Sequence, residues 1–309
     1  MMDPNDIIYA AKYAEICEHS YDHQTDLPGG LWHVDPSAIP EFFQSINDNG
    51  RDYVVVSPSS DFGVCYQRYN HPAHDLAKWA KFQLGPQHGY NNLMMPARIN
   101  PERCNEGDTF SLKCWSYTEA TFPRIPDNVR HWFIANCEIV EPRVTAIPFG
   151  IHGNKDMLEA VEKIAGHPGG IHSKLLYVNF QFYNTDRYEL FRYFEQFDFV
   201  TCKREVPFDE YLEDLANHKY VLCPCGNGWD CYRTLEAIYM GCVPILENRQ
   251  GSLSPYAHVL YPLLYYPNLW MMPLNQLDDM YGHIMHNYHN NRDIERVCWK
   301  HWEDRIRKA

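Results

Sequence analysis

Lys219-Tyr220-Val221-Leu222-Cys223-Pro224-Cys225-Gly226-Asn227-Gly228-Trp229-Asp230-Cys231-Tyr232-Arg233-Thr234-Leu235-Glu236-Ala237, continued by Ile238-Tyr239-Met240-Gly241-Cys242-Val243-Pro244-Ile245-Leu246, is the stretch that decides the fold. It reads as strand, glycine loop, helix, tight turn, strand. A short apolar run closes at Cys223, and Gly226 and Gly228 then free the backbone for a close turn. Helical spacing runs from Cys231 to Met240, Gly241 ends it, and Val243 to Leu246 is a second apolar run.

The same alternation continues upstream. Lys174 to Phe180 reads as a strand, and Asp186 to Gln196 as a helix with Leu190, Phe191 and Phe194 on one side. Phe199 to Cys202 is a strand, and Pro207 to Asn217 is a helix that opens on proline. Further back, Lys155 to Ala165, Ala73 to Lys81, Ile39 to Asn47 and a short pattern within Asp6 to Cys17 are helical. His131 to Ala135, Thr145 to Pro148 and Tyr53 to Val56 are strands. Downstream, Leu274 to Asn290 and Arg292 to Arg307 read as two amphipathic helices. Strands and helices in alternation with short connections predict an α/β fold with parallel sheets. A chain of 309 residues accommodates two such domains, and His167-Pro168-Gly169-Gly170 is the expected junction.

Composition narrows the function classes. The net charge is -13, which disfavours nucleic acid and anionic membrane surfaces. The 11 cysteines are scattered and odd in number, which suits a reducing compartment better than a disulfide framework. Met1 to Ser20 is polar and acidic, and no apolar run is long enough to span a membrane, so a cytoplasmic location is expected.

The chemistry concentrates on the loop and the helix after it. The free N–H groups at a helix N-terminus favour a phosphate, and ligands of open α/β sheets bind outside the carboxyl ends of the strands. Arg233 and Glu236 lie three apart and share one helix face. An arginine holds a diphosphate through parallel hydrogen bonds, and a carboxylate accepts hydrogen bonds from two ribose hydroxyls. A surface ion pair between the two is the plainer reading of the same spacing.

The stretch resembles the C-terminal domain of exostosin-like glycosyltransferases, in which a Cys-Pro-x-Gly loop precedes an Arg-x-x-Glu-Ala helix and a Gly-Cys-x-Pro-Ile turn. The resemblance is tightest over Tyr220 to Leu246. It extends loosely to Leu175–Phe180 with Arg187, and to Trp132–Asn136 with Ile147–Gly150. Two positions depart from it: Cys225 replaces a basic residue, and Tyr232 replaces histidine before the arginine. The resemblance implies a GT-B architecture, two Rossmann-like domains facing across a cleft. Residues 1–165 would bind the acceptor, residues 166–285 the nucleotide-sugar, and residues 286–309 would cross back onto the first domain. Compact soluble relatives of this kind occur in large algal viruses and bacteria, and one viral type transfers xylose.

On this reading Gly226, Asn227, Gly228, Arg233 and Glu236 bind the donor. Arg187 reaches its diphosphate, with a solvated arginine as the plainer reading, and Asn136, Gly150 and Asn179 border the cleft, with Asn136 and Gly150 equally readable as turn residues. Asp61 follows the Tyr53–Val56 strand and is the expected base for an acceptor hydroxyl, with a turn or helix cap as its alternative role. The expected activity is transfer of a sugar, xylose among the candidates, from a UDP-sugar to a glycan or glycoprotein hydroxyl with inversion. No Asp-x-Asp spacing is present, so neither a metal nor a resident cofactor is expected. The pairs His71/His74 and His286/His289 lack further ligands nearby in sequence. Tyr261, Tyr265, Tyr266 and Trp270 read as core, or as a stacking surface for the base.

Two other classes compete. A nucleotide-dependent oxidoreductase needs a third glycine where Cys231 stands. A non-catalytic nucleotide- or glycan-binding protein would carry a degenerate donor site, against which the intact Arg233 and Glu236 argue.

Overall fold

The computed structural model describes residues 4–58, 64–66, 115–117, 125–137, 142–165, 172–182, 185–224, 230–247, 264–266, 269–290 and 292–309. The first half contains α1 (Ala10–Glu15), β1 (His19–Ser20), β2 (Gly30–His33), α2 (Ile39–Ile46), β3 (Tyr53–Ser57), β4 (Val64–Tyr66), β5 (Trp115–Tyr117), β6 (Val129–Ala135), β7 (Val144–Ile147) and α3 (Lys155–Ala165). The second contains β8 (Lys174–Val178), α4 (Thr185–Phe194), β9 (Val200–Cys202), α5 (Phe208–Asn217), β10 (His218–Cys223), α6 (Tyr232–Tyr239), β11 (Val243–Glu247), β12 (Leu264–Tyr266), α7 (Leu277–Asn290) and α8 (Trp299–Arg307).

Among the described residues two five-stranded parallel sheets form, in the orders β1-β2-β3-β6-β7 and β12-β11-β10-β8-β9, and β4 pairs with β5 separately. Both five-stranded sheets are compatible with a Rossmann-like architecture. In the second sheet β9 lies on one side of β8, whereas β10, β11 and β12 follow on the other. The chain therefore reverses its winding between β8 and β10, and the crevice at their carboxyl ends is where such sheets bind ligands.

Side-chain alternation along these strands divides the packing. Leu176, Val178, Tyr220, Leu222, Val243 and Ile245 face an outer core with Leu190, Phe191 and Phe194 of α4 and Leu277 of α7. The intervening Tyr177, Val221, Cys223 and Leu246 face α5 and α6. Through Leu212, Leu235 and Ile238 they join one core with Val54, Trp132 and Ile134 of the first sheet. The carboxyl-terminal helix also packs on the first half. The Trp299 ring stands 5.0 Å from Tyr13, and the Lys300 N–H donates to Asp6 Oδ1 at 3.2 Å. Among the described residues no helix is long and apolar enough to cross a membrane.

Several sequence expectations shift. Pro207 is the N-cap of α5, with ψ 148°, and not its first residue. The helix expected over Arg292 to Arg307 is a 3-10 turn, Arg292–Val297, followed by α8, with extended Cys298 between them. Strands β1, β2 and β12 were not expected. The helix expected over Ala73 to Lys81 and the junction at 167–170 lie outside the described residues.

Gly150 has a packing reason. Its φ is +90°, and a Cβ there would stand 2.8 Å from both Ile8 O and Tyr9 Cα. Neither backbone atom can swing away, because the Ile151 N–H donates to Ile8 O at 2.8 Å. Gly150→Ala is expected to destabilise the protein by about 2–3 kcal/mol. Thermal denaturation reads this directly, and an unchanged midpoint would refute the packing argument.

Candidate functional site

The two loops at the reversal point are held by one side chain. Arg187, in the first turn of α4, is 5% exposed. Its Nη1 donates to Gln181 O beyond β8, and its Nη2 donates to Pro224 O beyond β10, each at 3.1 Å. The guanidinium carbon lies 5.6 Å from the Phe180 ring centroid. Two of its donors are thus committed to the protein backbone, which fixes the separation of the loops.

The helix after β10 supplies the charged pair. Cys231 is the N-cap of α6 and provides no side-chain cap bond. The helix ends on a Schellman motif: Cys242 N–H donates to Ala237 O at 2.9 Å, Gly241 N–H to Ile238 O at 3.0 Å, and Gly241 has φ +75°. That ending requires glycine and sets the return into β11. Between these ends stand Arg233 and Glu236.

The surface ion pair suggested by their spacing does not form: among the described residues Arg233 has no hydrogen bond or ion pair, and its Nε is buried without a partner. Burial works against its charge. The surrounding Tyr211, Cys231, Cys223 and Glu236 outweigh that and raise its pKa, so it stays a cation. Glu236 is 6% exposed, and its Oε2 accepts a hydrogen bond from the Tyr211 hydroxyl at 2.9 Å. Burial raises the Glu236 pKa, and the Arg233 charge and the Tyr211 bond oppose the rise. Tyr211 itself is raised well above the usual phenol value by burial and by the Glu236 charge, so it acts as a donor.

Tyr211 also lines a cavity of about 580 Å³ beside the reversal point. The other walls come from residues 179–182 after β8, residues 204–206 after β9, Phe208 of α5, and Met157 of α3 from the first half. Small-molecule sites span about 300–1,000 Å³, so the cavity is large enough for one. Its rim carries the Arg204–Glu205 ion pair, 3.3 Å apart, with the Arg204 guanidinium 3.9 Å over the Phe182 ring. Asn179 donates to the Tyr177 hydroxyl at 2.8 Å on the same wall.

Asn136 and Asp230 join the two halves. Asn136 follows β6 with φ +51° and is fully buried. Its Oδ1 accepts from the Asp230 N–H at 2.8 Å, and Asp230 Oδ2 accepts from the Phe149 N–H at 2.9 Å. The Phe149 ring stacks on Tyr232 at 4.7 Å. Asp230 was not singled out from sequence, although it is the one carboxylate between the glycine loop and α6. Asp230→Ala leaves the Phe149 N–H buried without that acceptor, and a loss of about 1–3 kcal/mol in denaturant unfolding is expected. Full stability in the variant would show that the joint carries no weight.

Asp61, Gly226, Asn227 and Gly228 lie outside the described residues, as do Tyr261, His71 and His74. His286 and His289 fall in α7, where their side chains are outside the description. Trp270 packs against Tyr193 at 5.2 Å, on the outer core. Among the described residues no three His, Cys, Asp or Glu side chains come together as a metal site.

Residues 190–273 match the family model of the RXYLT1 C-terminal domain, a xylosyltransferase-like domain of the exostosin-related glycosyltransferases. The match covers about a quarter of the chain and includes Tyr211, Arg233 and Glu236 but not Arg187. No curated protein is significantly similar to the chain.

Proposed function

We propose that the protein transfers a sugar, xylose being the first candidate, from a UDP-sugar to a hydroxyl of a glycan or glycoprotein, across the cleft of a GT-B architecture. One observation carries the reading most directly. An arginine whose Nε is buried without a partner among the described residues stands one helical turn from a buried carboxylate, on the helix that follows the reversal point of a parallel sheet. Such an arginine suits an anion, and such a carboxylate suits a pair of hydroxyls. Arg233, the α6 amides and residues 226–228 take the diphosphate. Glu236 takes the ribose, and the cavity beside Tyr211 takes the base. Arg187 keeps the two loops at the spacing that the diphosphate meets. Likeness of residues 190–273 to a xylosyltransferase-like domain supports the choice of sugar.

In the step itself the acceptor oxygen attacks the anomeric carbon on the face opposite the diphosphate. The new carbon–oxygen bond forms as the bond to the β-phosphate oxygen breaks, and the nucleoside diphosphate leaves with the electron pair. The acceptor proton passes to the Asp61 carboxylate. Positive charge from Arg233 and the helix N-terminus stabilises the leaving group, so neither a metal ion nor a resident cofactor enters the proposal.

A thermal-shift screen of UDP, GDP and their sugar conjugates tests this, first without metal and then with Mn²⁺. A ligand at about one hundred times its Kd adds roughly 2.7 kcal/mol of stability. A shift with UDP and its sugars in the absence of metal is the expected result. No shift with any nucleotide would remove the donor site, and a shift only with Mn²⁺ would remove the metal-free mechanism. Proton NMR of the product gives the anomeric configuration and tests inversion.

A further inference from the structure

Tyr211 belongs to both the cavity and the carboxylate. Its hydroxyl donates to Glu236 Oε2 at 2.9 Å, while its ring lies beside Phe208 at 5.8 Å and forms part of the cavity wall. Among the described residues no second hydrogen-bond partner reaches the Glu236 carboxylate. A carboxylate has about four acceptor positions, so one bond at Oε2 leaves Oε1 for a ligand.

We infer that Tyr211 is a positioning residue for donor binding, whose hydroxyl holds Glu236 Oε2 so that Oε1 is turned to receive the ribose hydroxyls. The inference rests on the donor reading above and adds a residue whose role that reading does not require. Among the described residues the titratable groups near Glu236 are these. Arg233 stands on its own helix, Tyr211 reaches it from α5, Cys223 lies at the end of β10, and Cys231 and Cys242 flank α6. Burial pushes the Cys223 and Cys242 thiols well up, so they remain neutral near pH 7. Among the described residues Arg233 and Tyr211 then favour the carboxylate against its burial.

The sign of the pH effect follows. Glu236 binds hydroxyl pairs as a carboxylate, so donor affinity falls as pH drops through its pKa. Removing the Tyr211 hydroxyl takes away a hydrogen bond to the charged form, and that pKa moves further up.

Two readouts test this. Carboxyl ¹³C titration of glutamate-labelled protein without ligand, assigned with Glu236→Gln, gives the Glu236 pKa in wild type and in Tyr211→Phe. A rise of about one unit in the variant is expected from loss of a hydrogen bond to a charged group. Calorimetric titration with UDP from pH 5.5 to pH 8.5 should show the acid fall in affinity displaced upward by the same interval in Tyr211→Phe, at about tenfold per pH unit. An unmoved Glu236 titration, or a matching UDP profile in the two proteins, would overturn the role of Tyr211 while leaving the donor site in place. Absence of UDP binding by the wild-type protein would instead defeat the donor reading, and this inference with it.

Discussion

Arg233→Ala is expected to lose at least a hundredfold in affinity for UDP, and the unliganded protein is expected to lose thermal midpoint as well. The affinity loss comes from a guanidinium whose Nε is buried without a hydrogen-bond partner among the described residues. Its charge also favours the buried Glu236 carboxylate against its burial, so truncation leaves that carboxylate without a countercharge and destabilises the folded state. The same charge opposite a diphosphate makes two parallel charge-assisted bonds, each worth about 1.5–3 kcal/mol, and a tenfold change in affinity is about 1.4 kcal/mol. Arg233→Lys keeps the charge and loses the fork, so its affinity should fall between the two. A lower midpoint in Arg233→Ala together with an undiminished UDP response would show that Arg233 serves the fold and not the ligand.

Asp61→Asn should leave UDP affinity within about twofold and lower kcat by about 10²–10⁴, the range that a general base contributes. The split between the two constants is the informative part. Asparagine has nearly the shape of aspartate and no capacity to take the acceptor proton, so only the chemical step suffers. Rapid-quench measurement of product formation at saturating donor separates that step from product release. Wild-type kcat in the variant would end the assignment of Asp61. A parallel collapse of UDP binding would move Asp61 into the donor site instead.

Much of the fold was legible because burial on both faces of a parallel strand leaves an apolar run. Tyr53 to Ser57 lies entirely in the interior, and Tyr220 to Cys223 is buried on alternate faces against two different cores. β2 carries no such run. Gly30-Leu31-Trp32-His33 has one fully buried side chain, Trp32, and becomes a strand because β3 pairs with it. At the site, motif spacing pointed to Arg187, Arg233 and Glu236, but not to what they touch. Spacing by three suggests that Arg233 and Glu236 pair, yet Glu236 turns to a tyrosine 25 residues away in the chain. Nothing local to Tyr211 announces that contact, which exists only because α5 and α6 pack on the same face of the sheet. Asp230 escaped notice for the same reason, since its partners Asn136 and Phe149 belong to the other half of the chain.

The strand order of the second sheet bears on how this chain can be divided. The stretch that resembles a known domain begins at residue 190, inside α4, and so omits β8. Yet β8 is the strand that pairs with both β9 and β10. A fragment cut at those limits would leave β9 without β8 and would uncover Leu212, Leu235 and Ile238 of α5 and α6, which share a core with the first half. Sequence kinship and structural autonomy thus have different borders here, and excision or domain grafting has to follow the second.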